Sequence, residues 1–407
     1  VTFDELVRDT LHEQAASARP APADLAERVL ARRVRRRNRG LTAAVVAVAA
    51  VTAAVITPTA LDRGGNGPSE SSGVSGVESH PSQSPPLDRI AAGDQVLAAY
   101  YSTRSVRQPD HDVIQTRTYH LLNPRTGRYT SDPRWSDVAV APGLRTAVVI
   151  EQTLPARRVG LLDLATDQVT RWIPVPQGAG AVAVSPDGGK AVVTTYDQNP
   201  NRLFWAKRSM VNDTYQPRAE YSRTGFAVVD LPSGASQWHP VAPDVSVPFE
   251  AFPRSGSALL FSADGSLLMD RRMTAPVTVF RRLDGTAVPA PGREKYEDTE
   301  GVPAGLSPDG TLMAGGSAGH GWSTATEVLD PVTGKRVALQ RGEVLLAWVD
   351  DRHLIAWDIM PGSTNEFGTR LVLVTVGGSK EVPLSGPRHT TTDEPSPGGW
   401  EPVFAHR

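Results

Sequence analysis

Two families of short turns alternate from about residue 90 to residue 385, and few folds are open to a chain punctuated in this way. One family reads "NPRTGRY" (123–129), "DLATDQV" (163–169), "DLPSGAS" (230–236), "RLDGTAV" (282–288), "DPVTGKR" (330–336) and "TVGGSKE" (375–381). Each follows an apolar strand and precedes a shorter one. The Asp-x-x-Thr/Ser-Gly chemistry suits a tight hairpin, with Gly taking the positive φ. The other family reads "AVAPGLRTAVV" (139–149), "AVSPDGGKAVV" (183–193), "LFSADGSLLM" (260–269), "GLSPDGTLMA" (305–314) and "AWVDDRHLIA" (347–356). "AAGDQVLAAY" (91–100) is a sixth copy that lacks its entering strand.

Two hairpins per repeat make four antiparallel strands, and the copies recur mostly every 40 to 50 residues or so, the pitch of a propeller blade. The 36 Gly and 34 Pro are spread along the chain with little helical periodicity after residue 90, which also favours many short strands. The expectation is an all-β fold, a six-bladed β-propeller over residues 89–407. A seven-bladed ring and a two-sheet sandwich are the alternatives. The "SPDG" hairpins resemble those of TolB-like and WD-repeat-like propellers over roughly residues 88–407. The WD dipeptide and Gly-His pair of true WD repeats do not recur, so the TolB-like type is the nearer resemblance. It implies a fold and no particular activity. Because the first blade lacks an innermost strand, Trp400 to Ala405 is expected to return, supply it and close the ring, removing exposed sheet edges.

One interval is too long for a blade: 77 residues separate Gly188 from Gly265, with the excess at 197–224. It carries Phe204, Trp205, Tyr215 and Tyr221 with Lys207, Arg208 and Arg218, the composition of a partner-binding hot spot on a loop-bearing scaffold. The alternative is an extended hairpin whose aromatics cover its own base.

Ahead of the repeats, Arg32, Arg33, Arg35, Arg36, Arg37 and Arg39 precede a charge-free run from Leu41 to Leu61. As a helix that run would span roughly 31 Å, close to a hydrocarbon core. The arginines place the N-terminus in the cytoplasm and everything after residue 61 outside. A cleaved leader fits less well, because 40 residues precede the run and Pro58 spoils the small-residue cleavage site. A nucleic-acid arm fits less well too, since the net charge is −2 and the basic block adjoins an apolar span. The lipid bilayer is thus the expected partner of residues 41–61. The expected function is an extracytoplasmic binding or scaffold module for a protein, cell-wall or small-molecule ligand, with a protein or cell-envelope ligand as the expected partner of the propeller.

Residues 62–88 are rich in Gly, Ser and Pro and read as a flexible linker. Residues 1–40 read as two short helices with capping boxes at Thr2/Glu5 and Asp24/Glu27. Phe3, Leu6 and Leu11 form a candidate cytoplasmic docking face. This layout weakly resembles the inner tails of actinobacterial membrane regulators of anti-sigma type, which implies a second reading: a transmembrane regulator with the propeller as sensor. The zinc-binding His and Cys of many such proteins are missing.

Chemistry-bearing motifs are sparse. Cysteine is absent, which excludes disulfides, thiolate metal sites and Cys nucleophiles. Gly315 to Gly319 spells Gly-x-Ser-x-Gly, but "WSTATEVLD" reads as a strand where a nucleophile elbow needs a helix. The nine histidines show no paired ligand spacing. Asp350–Asp351 and "EKYEDTEG" (294–301) read as solvated turns, with a calcium site as the alternative. The expectation is no catalytic constellation, cofactor or metal; an enzyme on a propeller scaffold is the third reading.

Overall fold

The computed structural model describes residues 73–211, 214–242, 258–272, 277–297, 302–318, 325–361, 368–389 and 399–407. The short helices, the run 41–61 and the start of the linker lie outside the described residues. Among the described residues, no helix is long and apolar enough to cross a membrane.

The named elements are all strands, paired antiparallel in sets of four. After β1 (Ala91–Ala92), the first set contains β2 (Gln95–Arg107), β3 (Val113–Asn123) and β4 (Arg128–Asp132). The second is β5 (Trp135–Val140), β6 (Thr146–Glu151), β7 (Ala156–Asp163) and the first half of β8 (Gln168–Val184). The second half of β8 opens the third set and pairs with β9 (Lys190–Tyr196). An inserted hairpin, β10 (Arg202–Val211) and β11 (Thr214–Arg218), comes before β12 (Arg223–Asp230) and β13 (Ser236–Pro240) complete that set. The fourth set is β14 (Leu260–Phe261), β15 (Leu267–Arg271), β16 (Thr278–Arg282) and β17 (Ala287–Val288).

In the fifth set, β18 (Met313–Ser317), β19 (Thr326–Leu329) and β20 (Arg336–Gln340) are joined by a single bridge from Leu306 to Met313 in the first strand's position. The sixth is β21 (Val344–Trp348), β22 (His353–Ile359), β23 (Gly368–Thr375) and β24 (Glu381–Pro383), with β25 (Arg388–His389) also on β23. The last strand, β26 (Glu401–His406), returns to β2, from Gln95 opposite His406 to Tyr101 opposite Glu401. It supplies the fourth strand of the first set, as the missing entering strand required.

The repeated turns explain their own spelling. The Ser185 hydroxyl donates to Asp187 Oδ1 at 2.5 Å, the same carboxylate accepts from Gly189 N, and Lys190 N donates back to Ser185 Oγ. Ser262/Asp264 and Ser307/Asp309 repeat the arrangement at 2.7 Å. Gly188, Gly265 and Gly310 hold φ of 70°, 73° and 68° there, which an L side chain rarely adopts. In the other family the Asp163, Asp230 and Asp330 carboxylates accept from the backbone N–H three residues on.

The apolar faces of the sets cover one another in cyclic order. Trp135, Val138 and Leu162 of the second set pack with Tyr119 and Leu122 of the first. Val148 and Ile150 pack with Val193 and Ala227 of the third, and Phe226 of the third packs with Phe261 and Leu268 of the fourth. Ala314 and Val328 of the fifth meet Leu354 and Val372 of the sixth. Leu371 and Trp357 of the sixth return to Leu97 and Tyr100 of the first. Trp400, 1% exposed, fills that closing seam, its ring 5.4 Å from Tyr100 and 5.0 Å from Trp357.

Two expectations need correction. Residues 73–88 do not behave as a free linker. Val74 and Val77 pack into the closing seam, His80 bridges Ser385, the Tyr100 hydroxyl donates to Pro86 O, and Trp400 Nε1 donates to Ser84 Oγ. Apolar valines and prolines give this stretch something to bury, which its Gly/Ser content obscured. The acidic stretch from 294 is not a solvated turn either. Glu294 is buried and accepts from Ala263 N of the fourth set, while Tyr296 packs on Gly334 of the fifth. The turn therefore spans the remaining seam.

Burial, reinforced by the Glu294 carboxylate, pushes Glu297 up to about 7, and its Oε2 is buried without a hydrogen-bond partner among the described residues. An unfolded chain releases this proton near pH 4.5. Folding stability should therefore fall as pH rises from about 4.5 to 7, by about 3 kcal/mol in all. Urea titrations over that range should show the loss, and Glu297→Gln should abolish it. Trp400→Ala should cost about 3–5 kcal/mol in the same measurement, by leaving a cavity where the last strand meets the first set.

Candidate functional site

In the second to sixth sets the family of Pro/Asp/Gly turns joins the first strand to the second, and in every set the other turn family joins the third strand to the fourth. In antiparallel sets these lie on one face, and backbone bonds from Leu231 N to Gly189 O and from Leu164 N to Arg145 O tie the two families together. The second strands end on the opposite face, at Arg107, Glu151, Tyr196, Arg271, Ser317 and Ile359. The inserted hairpin belongs to this long-connection face.

That hairpin does not stand alone. β2 and β3 run past the other strands of their set, pairing as far as Arg107 opposite Val113. β10 joins this overhang, with Arg202 opposite Ile114 and Leu203 opposite Val113, and Gln115 N donates to Asn201 O. Strands from the first and third sets thus make one projecting sheet in the order β2-β3-β10-β11.

Asp112 fastens it. Its carboxylate, 6% exposed, accepts from Arg202 Nε at 2.7 Å and from Trp205 N at 2.7 Å, and Arg202 also reaches Asp110 at 2.5 Å. Burial by itself would push Asp112 up, but the Trp205 N–H and the Arg202 guanidinium hold it below the ordinary carboxylate value. At the root, Arg117 donates to Asp137 Oδ1 at 2.6 Å and lies over the Tyr101 ring, while Asp137 Oδ2 accepts from Val182 N. Asp137 therefore joins the first, second and third sets beneath the projection.

The structure brings together only part of the residue set suggested by the sequence. The Arg208 guanidinium lies 5.3 Å from the Trp205 ring centre and 5.4 Å from that of Tyr215. Phe204 instead lies under Arg202, Lys207 pairs with Glu220 at 3.3 Å, and Arg218 Nε donates to Ser209 Oγ. Tyr221 sits apart, its hydroxyl accepting from Arg223 Nε. The hairpin's aromatics do not simply cover their own base, since Trp205 meets His111 of the β2–β3 turn. Phe3, Leu6 and Leu11 lie outside the described residues.

Sequence reasoning missed Arg107, Asp112, Arg117 and Asp137. A signal existed: Gly93 and Gly127 are 34 residues apart, against 24 between Gly310 and Gly334, so the first set's middle strands had to overrun.

Ser317 ends β18, whose antiparallel partner β19 is a strand, and its bridge partner is Thr326; the last residue of the Gly-x-Ser-x-Gly stretch, Gly319, lies outside the described residues. His320 lies outside the described residues. Asp350 accepts from Arg352 N and His353 N, and Asp351 accepts from Asp309 N. No cluster of three or more metal-ligating side chains occurs among the described residues.

No protein-family model matches the sequence, and no curated protein matches it. Solved structures do. TolB from Acinetobacter baumannii is 16% identical with a TM-score of 0.39, over 77% of this chain and 68% of that one. Hydrazine synthase of Kuenenia stuttgartiensis is 16% identical with a TM-score of 0.34, over 62% and 66%. The Swd1 β-propeller domain of Myceliophteria thermophila is 12% identical with a TM-score of 0.31, over 67% and 96%. These are distant likenesses of fold, and the chain spans about two thirds of the length of the first two.

Asp112→Ala leaves Arg202 a single carboxylate and Trp205 N without its acceptor. Truncating one partner of such a pair costs about 3 kcal/mol. The expected outcome is faster hydrogen exchange in β10 and β11, with the amides of β5 to β9 unchanged.

Proposed function

We propose that this chain is a membrane-anchored binding module, a six-bladed propeller held outside the membrane by residues 41–61. It receives a protein or cell-envelope ligand on its long-connection face. The observation that carries the reading is the projecting sheet. The chain spends an insertion of the third set to extend the first, and fixes the junction with a buried carboxylate bonded to a guanidinium and a backbone N–H. Such a junction holds exposed side chains in a fixed geometry, which lowers the entropy lost on binding. On the opposite face the carboxylates of five tight turns, Asp187, Asp230, Asp264, Asp309 and Asp330, accept from donors of their own turns. A binding role needs no catalytic group, and Ser317 ends a strand paired with β19.

A photo-crosslinking residue at Ala206, on the projection, should yield discrete adducts in envelope preparations, whereas one at Ser233, on the tight-turn face, should not. Equal labelling from both positions, or none from Ala206, overturns the assignment of the face. The full chain should sediment with membranes and resist alkaline extraction, and removal of residues 41–61 should release it. A full-length chain already soluble in the medium would sink the anchor.

A further inference from the structure

The projecting sheet carries more cations than its own carboxylates can neutralise. Over residues 103–117 and 199–221 the sequence places seven Arg and Lys against four Asp and Glu, on a chain whose net charge is −2. Asp110 and Asp112 are taken by Arg202, and Glu220 by Lys207. Arg104, Arg107, Arg208 and Arg218 have no carboxylate within 4 Å among the described residues.

Arg208 is the best prepared of these. It is exposed, its guanidinium lies over both Trp205 and Tyr215, and NH1 donates to Trp205 O at 3.3 Å. Stacking removes rotamer freedom before any ligand arrives and leaves in-plane N–H groups for an acceptor. A planar fork of donors matches a carboxylate in two-point fashion. Beside it, Met210 and Tyr215 stay 57% and 52% exposed, so apolar surface adjoins the cation. By strand register Arg107 falls on the same face as Leu203 and Trp205, through the shared row Arg107–Val113–Leu203.

We infer that this face docks an acidic segment of a partner protein, with a carboxylate on Arg208 and neighbouring apolar side chains on Met210 and Tyr215. This rests on the proposed binding role of the long-connection face and specifies the partner's chemistry. The charge excess calls for an anionic partner. The exposed Met and Tyr favour a protein segment over a phosphate polymer or lipid headgroup, neither of which brings apolar side chains to cover them.

The test uses the full chain in detergent and a fluorescein-labelled random copolymer of glutamate and tyrosine, followed by anisotropy. Poly-glutamate and vesicles of phosphatidylglycerol with phosphatidylcholine serve as comparison probes. The copolymer should bind more tightly than poly-glutamate, and salt should weaken both. Arg208→Glu should lower copolymer affinity at least about tenfold, and Arg208→Lys, which keeps the charge but loses the flat fork, several-fold. Hydrogen exchange in β10 and β11 should stay as in the native protein, separating a lost contact from a lost hairpin. Copolymer affinity that is unchanged in Arg208→Glu, or binding to the anionic vesicles with the copolymer ignored, overturns the inference. If Ala206 adducts persist while the Arg208 variants bind normally, the face stands and the acidic partner falls; if the adducts vanish too, both fall.

Discussion

The structure depends on a constraint of packing: a four-stranded sheet with two apolar faces must have both of them covered. Here each set covers its neighbours, so no set is stable as an isolated piece and the series has to close. Closure is made by β26 on β2 and by Trp400 at the seam between the sixth and first sets. The N-terminal stretch around Val74 to Pro86 completes the same seam. Both ends of the described chain are thereby committed to one place, and the seam joins residues more than 300 positions apart in sequence. Long-range pairing of this kind is slow to form and cooperative once formed.

The seams are not equivalent. Five of them have an apolar cluster, whereas the fourth and fifth sets meet around a turn that buries Glu294 and sets Glu297 beside it. A carboxylate there is costly once charged, because desolvation disfavours the ionised form and, among the described residues, no cation pairs with it. The second and third sets lie at the other extreme, sharing the continuous strand β8. That covalent continuity, with the Asp137 bonds at the root of the projection, gives the inserted hairpin a firm base on the side where it crosses to the first set.

Much of this fold was legible because turns are local. Ser-x-Asp-Gly and Asp-x-x-Ser/Thr-Gly close on their own side chains, so their spacing reports strand order whatever the sheets do next. Departures are local too: Asp167 and Leu144 adopt positive φ of 58° and 56° where the pattern would favour Gly. The insertion was legible as excess length, and its aromatic and Arg content marked it as a surface that could bind. The partnership of β10 with β3 was not, because register between strands some 90 residues apart leaves no local trace. The burial of Glu294 was missed for the same reason, since acidic residues beside a Gly read as a solvated loop until a neighbouring set is laid over them.

The sequence by itself determined the repeat, the number of turn pairs, the need for a returning last strand and the excess between β9 and β12. These follow from backbone conformations that each short stretch fixes on its own. Only the tertiary structure decided that the long connections share one face, that Asp112 welds two hairpins into one sheet, and that Arg208 rests on Trp205 and Tyr215 while Tyr221 does not join them. Those outcomes depend on which surfaces meet when the ring closes, and burial, charge pairing and stacking acquire their values only at that point.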